Sequence, residues 1–153
     1  MTSMANRNDL DASLKLFIVL SRAFRAINDK ANHSIQRFDL NPTEFAVLEL
    51  LYHKGDQPLQ QIGGKILLAS GSITYVVDKL EGKGLLIRKA CAKDRRVTYA
   101  QITEEGKKLL QDIFPQHEEN IHQLLDGLTT EEKKQAIDLI KKLGHFAAKT
   151  EKN

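Results

Sequence analysis

The residues best suited to chemistry in this chain lie together in Cys91-Ala92-Lys93-Asp94-Arg95-Arg96-Val97-Thr98-Tyr99. Three cations and one carboxylate occupy four consecutive positions, between the apolar runs 85–90 and 97–102. Arginine side chains held at a loop tip can reach phosphates or enter a narrow minor groove, where the negative potential is enhanced. A carboxylate two residues before Arg96 can hold its guanidinium in one geometry and lower the ordering cost of binding. A solvent-exposed charged turn is the competing reading.

Just upstream, Ser70, Ser72, Thr74, Tyr75 and Lys79 fall on the side of a short helical pattern opposite Ile73, Val76, Val77 and Leu80. Lys and Glu favour exposed helix positions more than Ser and Thr do, so hydroxyls there suggest contact with a partner. Residues 65–97 carry eight basic and three acidic side chains, whereas residues 1–64 balance at seven each and residues 98–153 are acidic by two. A concentrated basic patch is what phosphate neutralisation requires. Enzymatic chemistry finds little footing. The histidines (33, 53, 117, 122, 145) are scattered, and His117 and His122 stand five apart rather than the four of a helical metal pair. "GKGLL" is no phosphate loop, and neither cofactor nor metal is expected.

The elements that must position these residues can be read from periodicity. Positions 9–38 repeat apolar residues at steps of three and four, which predicts a long amphipathic helix. Asn41-Pro42-Thr43-Glu44 opens a second helix with capping-box spacing, and Gly55 closes it. Pro58 starts a short third helix through Ile62 and Ile66, and a fourth covers about 70–82. Residues 85–90 and 97–102 form a two-stranded hairpin. Thr103 caps a further helix that Pro115 should kink or break, and Thr129 or Thr130 caps the last. Three helices followed by a hairpin is the order of a winged helix-turn-helix.

The run "SITYVVDKLEGKGLLIRKACAKDRRVTYAQITEEG" resembles the core of the MarR family of bacterial transcriptional regulators. The resemblance rests on Asp78-Lys79-Leu80, Gly84-Leu85-Leu86, Asp94-Arg95-Arg96 and Ile102-Thr103-Glu104-Glu105-Gly106, and it extends over nearly the whole chain. Tyr75 stands where many members have a basic residue, and Gly71 where a helix-friendlier one is common. The resemblance implies a mainly α fold with a small β-hairpin wing. The winged helix-turn-helix would span 39–103, and 1–38 and 104–153 would form helical dimerisation regions of one compact domain. It implies a homodimer bound to a pseudo-palindromic operator in double-stranded DNA. Lys65, Ser70, Gly71, Ser72, Thr74, Tyr75, Lys79, Lys93, Asp94, Arg95 and Arg96 form the expected contact set, with Arg96 in the minor groove.

Family resemblance further implies a repressor released by a small phenolic or aromatic inducer or by thiol-reactive oxidants. Phe17, Ser21, Phe24, Phe38, Tyr52 and His53 are the candidate ligand residues. Cys91, the single thiol, is the candidate redox residue, with Arg88, Lys89 and Lys93 near enough in sequence to favour its thiolate. No apolar run approaches the length of a membrane span and the N-terminus lacks a signal-peptide layout, so a cytoplasmic protein is expected. Residues 9–20 and 109–146 hold more apolar stripe than a small winged core can cover, which points to self-association rather than packing back on the same chain. A winged-helix module for protein contacts without DNA is the alternative function.

Overall fold

The computed structural model describes residues 4–66 and 72–150, so Ser70 and Gly71 lie outside the described residues. The elements run α1 (Arg7–Gln36), α2 (Pro42–Lys54), β1 (Gln57–Pro58), α3 (Leu59–Lys65), α4 (Ile73–Gly82), β2 (Leu86–Ala90), β3 (Thr98–Ile102), α5 (Glu104–Leu124) and α6 (Thr130–Lys149). The mainly helical, winged architecture agrees with the sequence reading.

Capping chemistry sets the helix starts. The Asn41 side chain accepts from the Glu44 N–H at 2.8 Å while Glu44 Oε1 accepts from the Asn41 N–H at 3.1 Å, the reciprocal pair that satisfies two orphan donors. Thr129, rather than Thr130, caps α6, paired with Glu132 in the same way. The Glu132 carboxyl is held below its ordinary pKa by the N–H and hydroxyl of Thr129.

α2 lies at the centre of the core. Its Val47, Leu48 and Leu51 are buried with Ile62 of α3, Val76, Val77 and Leu80 of α4, Leu86 of β2, Ala100 of β3, and Leu110 and Ile113 of α5. Burying each such side chain contributes about 1.5–3 kcal/mol of hydrophobic transfer. Glu44, 4 % exposed, is a buried carboxylate beneath this core. Its Oε2 accepts from Lys83 Nζ at 2.9 Å, and the same ammonium donates to the Asp39 carbonyl at 2.7 Å. This joins the α1–α2 turn to the end of α4.

Three sequence expectations need correction. The wing sheet has three strands in the order β1-β3-β2, all antiparallel, with Gln57 opposite Ala100 and Ala90 opposite Thr98. Pro58 therefore belongs to an edge strand, where its missing N–H does no harm, before α3 begins. α5 continues through Pro115 as one helix, so the proline does not break it. Pro115 and Gln111 are both exposed, so water can solvate the carbonyl that the proline leaves unpaired. The first helix stops at Gln36, and Phe38 sits in the following turn instead of on its stripe.

The base of the wing is tightly built. Thr103 Oγ1 accepts from the Gly106 N–H at 3.1 Å and donates to the Gly84 carbonyl at 2.7 Å, and the Thr103 N–H donates to the Leu85 carbonyl at 3.1 Å. Gly84 has φ +77°, a turn conformation that a side chain would strain. Among the described residues no helix is long and apolar enough to cross a membrane.

Candidate nucleic-acid interface and ligand cleft

α4 buries Val76, Val77 and Leu80 and exposes Ser72, Thr74, Tyr75, Asp78 and Lys79. The Ser72 side chain occupies the N-cap position without making a capping bond. Lys79 Nζ lies 5.3 Å from the centre of the Tyr75 ring, one turn away, a cation–π contact that holds both side chains outward. Thr74 lies on the exposed surface beside Leu59 and Gln60 of α3.

The tip of the wing follows the hairpin register. Cys91 N–H donates to the Val97 carbonyl and Val97 N–H to the Asp94 carbonyl, each at 3.0 Å, which closes a compact turn. Asp94 Oδ1 accepts from Arg96 Nε at 3.1 Å and from the Arg96 N–H at 3.0 Å, while Oδ2 accepts from Nη2 at 3.4 Å. The side-chain bond from Arg96, then the backbone one, holds the Asp94 carboxyl below its ordinary pKa. Arg96 is nonetheless 91 % exposed, so a guanidinium fixed at one side points into open solvent. Lys93 and Arg95 are exposed on the same turn.

Lys65, an expected phosphate contact, is exposed at the end of α3. Its ammonium donates to Gln57 Oε1 of β1, and its side chain lines a cleft. Arg88 is also committed inside the chain. Its Nη2 donates to Asp78 Oδ1 and its Nη1 to Glu81 Oε1 at 3.1 Å, and its own N–H donates to Glu81 Oε2 at 3.1 Å. The Asp78 hydrogen bond, followed by the attraction of Asp78 and Glu81, raises its pKa against some desolvation. Arg88 is thus turned toward α4. Cys91 itself is half-buried.

The cleft, of about 400 Å³, lies between α1, α2 and α5 and reaches the end of α3. Asn28, Asn32, Ile35, Phe45, Glu49, His53, Lys54 and His117 are among its walls. Of the six expected ligand residues, His53 alone lines it among the described residues. Phe17 belongs to a second, apolar groove between α1 and α6. Phe24 is exposed, and Ser21 returns its hydroxyl to the Phe17 carbonyl at 2.8 Å. Phe38 and Tyr52 pack against the core. The N-terminal half of α1 is exposed in the single chain.

Sequence reasoning also missed His117, which separation in the chain hid. It packs on Phe45 with ring centres 4.8 Å apart, while His53 meets Phe114 at 4.9 Å. Among the described residues, His117 Nδ1 is the one buried side-chain nitrogen or oxygen without a hydrogen-bond partner. Buried polar atoms are normally paired, and this one, with almost no accessible surface, is an exception lying behind the cleft wall.

Comparison with known proteins agrees with this geometry. The MarR family model matches residues 40–98. The HTH-type transcriptional regulator MhqR of Bacillus subtilis is 66 % identical over 134 residues, covering 88 % of this chain and 92 % of that protein. The uncharacterized HTH-type transcriptional regulator YkoM of the same organism is 43 % identical over 139 residues, covering 91 % of this chain and 90 % of that one. In fold, the chain resembles Sco3205, a MarR family transcriptional regulator from Streptomyces coelicolor solved in complex with DNA. That match has a TM-score of 0.78 at 19 % identity, over 94 % of this chain and 93 % of that one. With a winged core that fits the family model and two residues in three shared with a regulator along most of its length, this chain belongs to the MarR family of transcriptional regulators.

Proposed function

We propose that this chain is a dimeric transcriptional repressor that grips a pseudo-palindromic operator and lets go when a small aromatic or phenolic ligand enters the cleft. α4 meets the major groove through Ser72, Thr74, Tyr75 and Lys79, with Ser70 and Gly71 in the segment leading to it. The turn Lys93–Arg96 lies on the adjacent backbone, with Arg96 at the minor groove. The single observation that carries this reading is the Asp94–Arg96 pair. An arginine that is fully exposed yet already oriented loses little conformational freedom when a phosphate or base edge arrives.

Pairing of two chains is supported by the apolar residues on α1 and α6. Leu14, Phe17, Ile137, Leu139, Ile140 and Phe146 are all more than half exposed, and α6 buries none of its residues in the single chain. Segments 1–38 and 104–153 would then hold the dimer and 39–103 the DNA, with half-sites about 34 Å apart. Release through the cleft is supported by the space of about 400 Å³ that Phe45, His53 and His117 help to wall between α1, α2 and α5.

Selection of bound duplexes from random DNA tests this reading, followed by gel shifts across salt and with added phenols, quinones and peroxides. The expected result is a palindromic site, affinity that falls steeply with salt, and release by an aromatic ligand that persists in Cys91→Ser. Binding to no duplex in dilute buffer would leave the protein-interaction module as the better reading.

A further inference from the structure

We propose that Arg88 is a positioning residue for DNA binding: it masks two carboxylates on the flank of α4 and ties the first wing strand to that helix. The inference rests on α4 being the helix that meets DNA. At 100° per residue, Asp78 falls between Thr74 and Tyr75 on the exposed arc, and Glu81 lies beside them. Both carboxylates are open to solvent, at 58 % and 41 % side-chain exposure. A duplex presents one negative charge per ~1.7 Å of axis, and a bare carboxylate within a Debye length of ~10 Å is repelled by it. Two such groups on the helix nearest the phosphates would oppose binding.

The guanidinium of Arg88 answers both. One nitrogen donates to Asp78 and another to Glu81, and the backbone N–H of the same residue adds a second bond to Glu81. At 27 % exposure it is more enclosed than either partner, as befits a group that serves the chain rather than the DNA. The planar fork matters, since a lysine ammonium would reach one carboxylate at a time. The backbone bond fixes β2 two residues past its start, so the same residue sets where the Arg95–Arg96 tip projects relative to α4.

Operator affinity of the full chain, on a duplex recovered by selection, tests the idea. Arg88→Met is expected to weaken binding about tenfold at ~0.1 M salt, with a smaller deficit at ~0.5 M as the repulsion is screened. Adding Asp78→Asn and Glu81→Gln to that variant is expected to restore most of the loss. Those two changes alone, with Arg88 intact, are expected to bind as tightly as the parent or tighter, which keeps the test available if Arg88→Met fails to fold by circular dichroism. Unchanged affinity in Arg88→Met overturns the inference. So does a loss that the neutral pair does not relieve, which would make Arg88 a direct contact, or weaker binding by the neutral pair alone. A parent chain that binds no duplex would instead refute the reading of α4 on which this rests.

Discussion

Replacing Gly106 by alanine should lower the stability of the fold, although alanine is the better helix former. Gly106 lies in the first turn of α5, where the wing meets the helix. A Cβ built there would stand 2.3 Å from the Leu85 carbonyl oxygen, 2.7 Å from Ile102 Cγ1 and 3.2 Å from the Leu85 carbonyl carbon. Two of these three neighbours are backbone. The Leu85 oxygen already accepts the Thr103 N–H, so it cannot withdraw without giving up that bond. Overpacking of this kind costs about 1–3 kcal/mol, and a lost backbone hydrogen bond about 1 more. The gain in helix propensity offsets about 0.5–1 kcal/mol. A net loss of about 1–3 kcal/mol would lower Tm by roughly 2–4 °C per kcal/mol in a chain of this size. Urea and thermal denaturation followed by far-UV circular dichroism would measure it, at matched chain concentration because association adds to apparent stability. Gly64→Ala in α3 is the control. Its Cβ would meet nothing within 4 Å among the described residues, so the propensity gain should appear alone. Equal or greater stability in Gly106→Ala would refute the steric reasoning.

Arg96→Ala should weaken operator binding about tenfold per half-site while leaving the melting curve unchanged, since the residue is 91 % exposed. A gel shift beside a thermal melt separates the two effects. Ile140→Asp puts a charge on the apolar face of α6 and should turn a dimer into a monomer by sedimentation at unchanged helicity below denaturing temperatures. Asp94 is an acid with a depressed pKa, so its pair with Arg96 is complete above the unfolded-state value and is lost as pH falls through the lower folded value. An NMR titration should place its midpoint below that of an unstructured aspartate and see it rise in Arg96→Ala.

Local rules made much of this molecule legible. Asn41 and Glu44, Thr103 with its glutamates, and the alternating runs around the charged turn announce their structures within a few residues, because caps and hairpins are short-range devices. What stayed hidden depends on approach in space. β1 has two residues and no period to detect, and Pro58 reads as a helix start. Arg88 reads as one more cation until α4 and β2 are set side by side. The cleft joins residues from Asn28 to His117, and no stripe on a single helix could have named them. Glu44 combines both cases: its cap was legible, its burial against Lys83 was not.

α6 has one more consequence. None of its twenty residues is fully buried in its own chain, so little of the tertiary packing that supplies most helical stability holds it there. Its order then depends on how much of the protein a cell holds. A newly made copy would carry a frayed, protease-sensitive tail until it met a second one, so scarcity would shorten its lifetime and abundance would lengthen it.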